Sequence, residues 1–303
     1  MKNNLFNGIR LITEKKALNN DLKALQSRAN ELNRKAQINP IGQLQFPLCE
    51  LRSTLSDSAS TKVQAFEITP SVNIITRARM MEGLQANAKY PIIKSNCSRW
   101  ENEQGQAPNT DSVTLSPHRL YSEISYSGTL IKSTDETLQN ALSDDLINNI
   151  YNKVESTMLS DKSETDGNPL GLFAILSPTE TTALTINVFA EMEKDFYKSG
   201  AKAPLYIFSP SAFAQTKEVF KELFSNGRFN DVEYVVTNNM EDNYILLADL
   251  NYLLIGAFGA LDINVDDVTE KVSGKTRLLC NSYWDWSVTN ANAFQAIKLT
   301  TNE

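Results

Sequence analysis

Leucines recur every seven residues near the start of the chain, at Leu11, Leu18, Leu25 and Leu32, and Leu22, Ala29 and Ala36 each follow four residues later. That spacing draws one narrow apolar stripe along an otherwise polar helix, the pattern by which helices pair. Asn39-Pro40 and Gly42 end it. The pattern therefore predicts a single seam helix over residues 1–38. A helix of this length is marginal alone, and the a/d-type seam favours pairing with another chain or a scaffold-like partner over packing on its own body. Residues 39–71 are polar and rich in serine and threonine, with Pro47 and Pro70, and read as an arm with a few short strands.

Extended chain is predicted from Val72 to Ile93, where Ala86, Ala88 and Tyr90 are spaced by two. A polar stretch follows from Lys94 through Glu101, then Gly105 and Pro108, and Val113-Thr114-Leu115 begins a return strand. Two strands joined by a long polar tip make a protruding hairpin over 72–117. Such a hairpin holds too little core to stand alone.

In the next strand Leu120, Ser122, Ile124 and Tyr126 share one side, with Tyr121, Glu123 and Ser125 on the other. Ser133 and Glu136 have capping-box spacing. Apolar residues then recur every four, at Leu138, Leu142, Leu146, Ile150, Val154 and Met158. With 3.6 residues per turn this stripe drifts around the helix, so a long helix lies across a twisted surface. Asp166-Gly167-Asn168-Pro169 breaks the chain near residue 171.

Beyond it the pattern alternates. Phe189, Met192 and Phe196 mark a helix, Leu205–Phe208 a buried strand, and Phe213, Phe220, Leu223 and Phe224 a second helix. Strands are read at Val232–Val236, Tyr244–Leu250, Tyr252–Phe258 and Leu261–Val265, with Gly256-Ala257-Phe258-Gly259 as a turn between the last two. Lys275–Asp285 and Trp286–Leu299 are extended and return to the first part of the chain. The fold class is α+β.

Composition narrows the function. At 303 residues, 41% apolar and 21% charged, the chain has the profile of an ordinary globular protein. A net charge of −7 and a pI near 5.0 argue against a phosphate-tracking nucleic-acid binder, although one basic face remains compatible with that average. Cys49, Cys97 and Cys280 are odd in number and widely spaced, which fits free thiols rather than a disulfide framework or zinc site. No apolar run approaches the ~20 residues a membrane span needs, and the start lacks a signal-peptide pattern.

Catalytic signatures are missing too. His118 is the one histidine, and a general base or metal ligand normally needs partners. Phosphate-cradling, dinucleotide and nucleophile-elbow motifs are absent, so no cofactor is expected. Asp144-Asp145 reads as a solvated pair near a helix start. Asp262 with Asp266 and Asp267 is the one candidate cation site, and would make the chain a metal-dependent hydrolase if more ligands converged. Trp284 and Trp286 share a strand face and read as packing residues.

The order of parts resembles the tailed-bacteriophage major capsid proteins of the Hong Kong 97 fold. Arg77-Ala78-Arg79-Met80-Met81-Glu82-Gly83-Leu84-Gln85-Ala86-Asn87-Ala88, followed by Tyr90-Pro91, resembles that family's entry to its extended loop. Trp100-Glu101-Asn102-Glu103-Gln104-Gly105-Gln106-Ala107-Pro108 is similar to its loop motif, with Gln104 set inside the family's Glu-Gly. Val113 through Leu120 resembles the strand leaving the loop, and Asn168-Pro169-Leu170-Gly171-Leu172 the turn after the spine helix. Lys275-Thr276-Arg277-Leu278 with Asp285 and Ala293-Phe294 resembles the closing strands.

The resemblance implies an extended loop at 72–117, a peripheral domain at 118–171 with the long helix as its spine, and an axial domain at 172–267. Residues 268–303 would be returning peripheral strands. It implies a non-enzymatic shell subunit, forming hexamers and pentamers that close an icosahedral head around double-stranded DNA inside a virion assembled in the bacterial cytoplasm. The loop tip, Arg99, Trp100 and Glu101, would lie over a neighbouring subunit, with portal, scaffold or decoration proteins as further partners. An encapsulin-type nanocompartment, which uses the same fold to hold cargo, is the alternative.

Overall fold

The structure is a computed structural model that describes residues 2–48, 74–86, 88–93, 110–132, 136–164 and 167–300. The chain begins with α1 (Lys2–Thr13) and α2 (Asn20–Ala36), then β1 (Leu44–Pro47), a 3-10 turn at Ile74–Thr76, β2 (Arg79–Glu82), β3 (Ala88–Ile93), β4 (Thr110–Leu115) and β5 (His118–Ser127). A short helix α3 (Gly128–Ile131) precedes the long α4 (Glu136–Met158). The remainder is α5 (Leu172–Leu176), β6 (Thr179–Thr181), α6 (Ile186–Lys198), β7 (Leu205–Phe208), α7 (Pro210–Val219), β8 (Phe224–Ser225), β9 (Arg228–Phe229), β10 (Val232–Val236), β11 (Tyr244–Ala248), β12 (Leu253–Asp266), β13 (Lys275–Val288) and β14 (Phe294–Leu299).

Two sheets organise it. A five-stranded sheet runs β1-β12-β13-β5, with β2 pairing parallel to β12. A seven-stranded sheet runs β6-β14-β11-β7-β10-β9-β8. The pair β3–β4 forms a separate antiparallel ribbon, from Ala88 opposite Leu115 to Ile93 opposite Thr110. One continuous apolar cluster runs from α1 past α4 into the seven-stranded sheet.

The amino terminus differs from the single seam helix expected. The helix breaks between Thr13 and Asn20, where Lys15 adopts a left-handed φ of 55° and the Asn19 side chain accepts the Leu22 N–H at 2.9 Å. Leu18 falls in this break, and Leu11 and Leu25 belong to different helices, so no continuous seam exists. The buried face of α2 is Leu22, Ala29, Leu32, Asn33 and Ala36. It is covered by β1 and β12 of the same chain. The stripe thus serves packing on the chain's own body.

In the seven-stranded sheet, α7 stops at Val219 and Phe224 enters β8 instead of a helix. The cause is a tight hairpin, with Asn226 (φ 48°) and Gly227 (φ 75°) as its two turn residues. Positive φ at both positions matches the right-handed twist of paired strands. Phe224 thereby reaches Phe229, ring centres 4.7 Å apart.

The segment expected as two strands around a glycine turn is the single strand β12. It carries a bulge where pairing to β13 skips from Phe258–Tyr283 to Asp262–Asn281. Gly259 takes φ 65° there, a conformation that costs residues with a Cβ. Strand membership also departs from the divide drawn at residue 267. The register puts β12 beside β13 and β5, while β14 pairs with β11 and β6 in the other sheet. Sequence order hides this because the chain crosses between sheets twice after residue 250.

Candidate assembly surface

The arm is held at its root by a small core of its own. Leu84 and Leu115, which flank β3 and β4, are buried with Ala36, Leu254 and Phe258 in a cluster distinct from the main one. Gly256 makes room for them, since a Cβ there would stand 2.7 Å from Leu84 Cδ1 and 3.1 Å from Leu115 Cδ1. The Ser116 N–H donates to Asp285 Oδ2 at 2.7 Å, fixing the point where β4 leaves for β5. Burial raises the Asp285 carboxyl above its usual range, against the pull of the two backbone N–H groups it accepts. Past this root β3 and β4 pair only with each other among the described residues. Arg99, Trp100 and Glu101 lie outside the described residues, as do Cys49, Cys97 and the Ser133 half of the capping box.

Helix α2 is fastened beside the root by buried polar groups. Asn33 Oδ1 accepts the Ala260 N–H at 2.8 Å, taking up a donor that the β12 bulge removes from the ladder. Asp262 accepts the Ile41 and Gly42 N–H groups at 2.8 and 2.9 Å and the Gln45 side-chain amide at 3.1 Å. Asp266 is held well below the usual carboxylate range by Thr269 and by the backbone N–H groups of Thr269 and Val268, then by Arg277. Arg277 bridges Asp266 at 2.9 Å and Glu123 at 3.0 Å. Asp262 and Asp266, two of the three acidic residues considered as a cation site, are thus committed to backbone, amide and arginine donors. Among the described residues no cluster of three or more acidic, histidine or cysteine side chains is placed to hold a metal.

Leu146, Ile150, Val154 and Met158 of α4 are buried, while Leu138 and Leu142 at its start are half-buried. Tyr151 stacks edge-on against Trp284 at 5.6 Å and donates to the Leu48 carbonyl at 3.1 Å. The helix therefore clasps the five-stranded sheet and the end of β1 together. Asp145 is not a solvated cap: it lies in the third turn and accepts the Tyr126 hydroxyl at 2.8 Å. At the far end Gly171 sits against the Ser160 backbone, where any Cβ would collide with the carbonyl. That close approach explains the glycine in the Asn-Pro-Leu-Gly turn.

His118 lies beside Trp284 and Trp286 at a cavity of about 60 Å³, with Glu164 Oε1 at 3.6 Å from its Nε2. Trp286 donates through Nε1 to the Leu170 carbonyl at 2.7 Å, so both indoles pack as expected. This space is far too small for a substrate-sized molecule. Cys280 is buried, and its thiol is pushed up to about 12 by burial, then by Asp262, which leaves it unreactive. Apolar side chains left in solvent include Val268 and Val272, 74% and fully exposed, on the connection between β12 and β13. Sequence reasoning missed these two because isolated valines in a polar loop carry no periodic signal.

Comparison with known proteins matches this arrangement. Residues 67–299 match the phage capsid family. A curated relative, the major capsid protein of Halomonas phage phiHAP-1, is 23% identical over 212 residues, covering 65% of this chain. That match spans 35% of the relative's length. Among solved structures, Mycobacterium phage Bobi superposes with a TM-score of 0.54 at 12% identity, covering 81% of this chain and 97% of that one. The capsid of the native GTA particle gives 0.52 at 15% identity, with 80% and 97% covered. The satellite phage P4 procapsid gives 0.54 at 10% identity, with 76% and 95% covered. The fold is that of the Hong Kong 97-type capsids, and the chain belongs to the phage capsid family.

Proposed function

We propose that this chain is the major capsid protein of a tailed phage, a non-enzymatic subunit whose copies form hexamers and pentamers. These close into an icosahedral head around packaged double-stranded DNA. The observation that carries the reading is the β3–β4 ribbon, anchored at Leu84 and Leu115 and, among the described residues, paired beyond them only within itself. A lone two-stranded ribbon is marginal in water, so its stability has to come from another surface. In a shell that surface belongs to the next copy, and the same contact repeated by symmetry closes the assembly. The exposed Val268 and Val272 supply a second apolar contact of the same kind.

In this reading the extended loop is residues 72–117, with Arg99, Trp100 and Glu101 laid over the neighbour. The peripheral region is α4 with the five-stranded sheet. The axial region is the seven-stranded sheet, including β14. The P4 procapsid includes a size determination protein and the phage G capsid a decoration protein. They support scaffold-type or decoration proteins as further partners; a portal partner and assembly in the bacterial cytoplasm belong to the same proposal. The relatives are phage capsids, which does not favour the encapsulin alternative.

Negative-stain microscopy of the purified chain tests this. Closed shells or capsomer rings are expected, and removal of residues 95–107 should abolish them while the circular dichroism spectrum stays native. A dispersed chain at high concentration, or shells formed without the loop, would overturn the reading.

A further inference from the structure

Glu155 lies in the last turn of α4 with none of its surface exposed. Three separate stretches of chain meet on its carboxylate. From the 3-10 turn, the Ile74 N–H donates to Oε2 at 2.8 Å, and the Ile75 N–H also bonds the group. From the connection between β10 and β11, the Thr237 hydroxyl donates to Oε1 at 2.9 Å and the Asn239 amide at 3.4 Å. Thr237 in turn donates its N–H to the Phe208 carbonyl at 3.1 Å, which ties the cluster to the carboxy-terminal end of β7. Asn239 also reaches Asn152 Oδ1, one turn earlier on α4, at 3.2 Å.

Among the described residues every group that meets the carboxyl is neutral. Lys153, also on α4, lines the cavity beside His118, and other charged side chains on these elements are engaged elsewhere. Arg77 pairs with Glu233 at 2.7 Å. Asp161 receives the Tyr244 hydroxyl and Lys298. Glu241 accepts the Asp161 N–H, and Asp242 accepts the Ser211 hydroxyl. Near the other elements packed along α4, Glu14, just after α1, is paired with Lys16, and Glu123 of β5 with Arg277. Burial raises the carboxyl to about 7, and its hydrogen bonds pull only partly the other way.

We propose that Glu155 makes this three-way junction an acid-stabilised joint, tight while its carboxyl is protonated and loosened when the carboxyl ionises. The charged form accepts all four donors yet is stranded in a low-dielectric site. The neutral form avoids that cost and turns its proton toward the Thr237 hydroxyl, which can also accept. Because the folded-state value lies above the unfolded one, the stabilisation is fully present below the unfolded carboxyl value, about 4.5. It is lost as the pH rises through about 7. The elements that loosen are the Ile74 turn, into which residues 49–73 lead, and the β10–β11 connection. The inference stands apart from the shell reading and needs only the dispersed full chain.

Hydrogen exchange followed by mass spectrometry, corrected for intrinsic rates, tests it at pH values from about 5.5 to 8.5. In the wild type, protection of residues 74–78 and 237–241 should fall at least ~10-fold across that range, one unit of carboxyl shift being tenfold. Glu155→Gln should remove the fall, while the nearby raised carboxyl of Glu241 remains as an internal control. A wild type with flat protection, or a variant with the same fall, would overturn the joint. Should Glu155→Gln not fold, Thr237→Val removes a donor that favours the charged form and should move the midpoint up by about half a unit or more. An unmoved midpoint would overturn it equally.

Discussion

The seven-stranded half and the β3–β4 arm obey the same strand patterning, yet they are stabilised in opposite ways. In the former, Phe208 and Phe229 are fully buried and meet at 5.8 Å, and Tyr206, Phe213, Phe224 and Tyr234 complete a network of offset and edge-on rings. Each such ring removes a large apolar area from water and adds about 0.5–1.5 kcal/mol from ring geometry. At the root of the arm, Leu84 and Leu115 join Ala36, Leu254 and Phe258 in a cluster of five buried side chains beside Gly256. The difference sets a body held by its own buried rings beside a ribbon that, in the proposed shell, would take its support from a neighbouring copy.

Substitutions can break that contrast in graded steps. The largest effect should come from Phe229→Ala, which opens a hole among aromatic rings and should cost about 3–5 kcal/mol in denaturant unfolding. Gly259→Ala should follow at about 2–3 kcal/mol, from the left-handed φ and the collision with Asn33. Leu115→Ala should cost about 2 kcal/mol, the low end for such a truncation, because its cluster is small and can collapse. Its signature is local: amides of β3 and β4 should lose protection while those of β7 and β11 keep theirs. Arg277→Ala, which removes a solvent-screened bridge between β5 and β12, should have the smallest effect of the four. If Leu115→Ala instead lowered protection in β7 as much as in β4, arm and body would be one cooperative unit.

Much of this was legible in the sequence where a period was long and uninterrupted. The four-residue spacing from Leu138 to Met158 gave α4, and the alternation of Leu120 to Tyr126 gave β5, because burial on one face enforces the pattern. The pattern misled where a single backbone feature overruled it. Lys15 in a left-handed conformation split the amino-terminal helix, and Gly259 turned an apparent loop into a bulge inside one strand. Phe220 to Phe224 kept helical spacing although Asn226-Gly227 drew Phe224 into a hairpin. Glu155 was hidden because a buried glutamate inside a helical stripe looks like any polar residue between apolar ones. Only its convergence with Ile74, Thr237 and Asn239, separated by about eighty residues on either side, marks it.

The most direct measurement of the contrast is hydrogen exchange of the dispersed chain and of its assembled shells. In the dispersed chain the amides of β3 and β4 should exchange at least ~100-fold faster than those of β7 and β11. On assembly the arm should become protected while β7 and β11 change little. An arm already as protected as β7 in the dispersed chain, or one that gains nothing on assembly, would contradict the account.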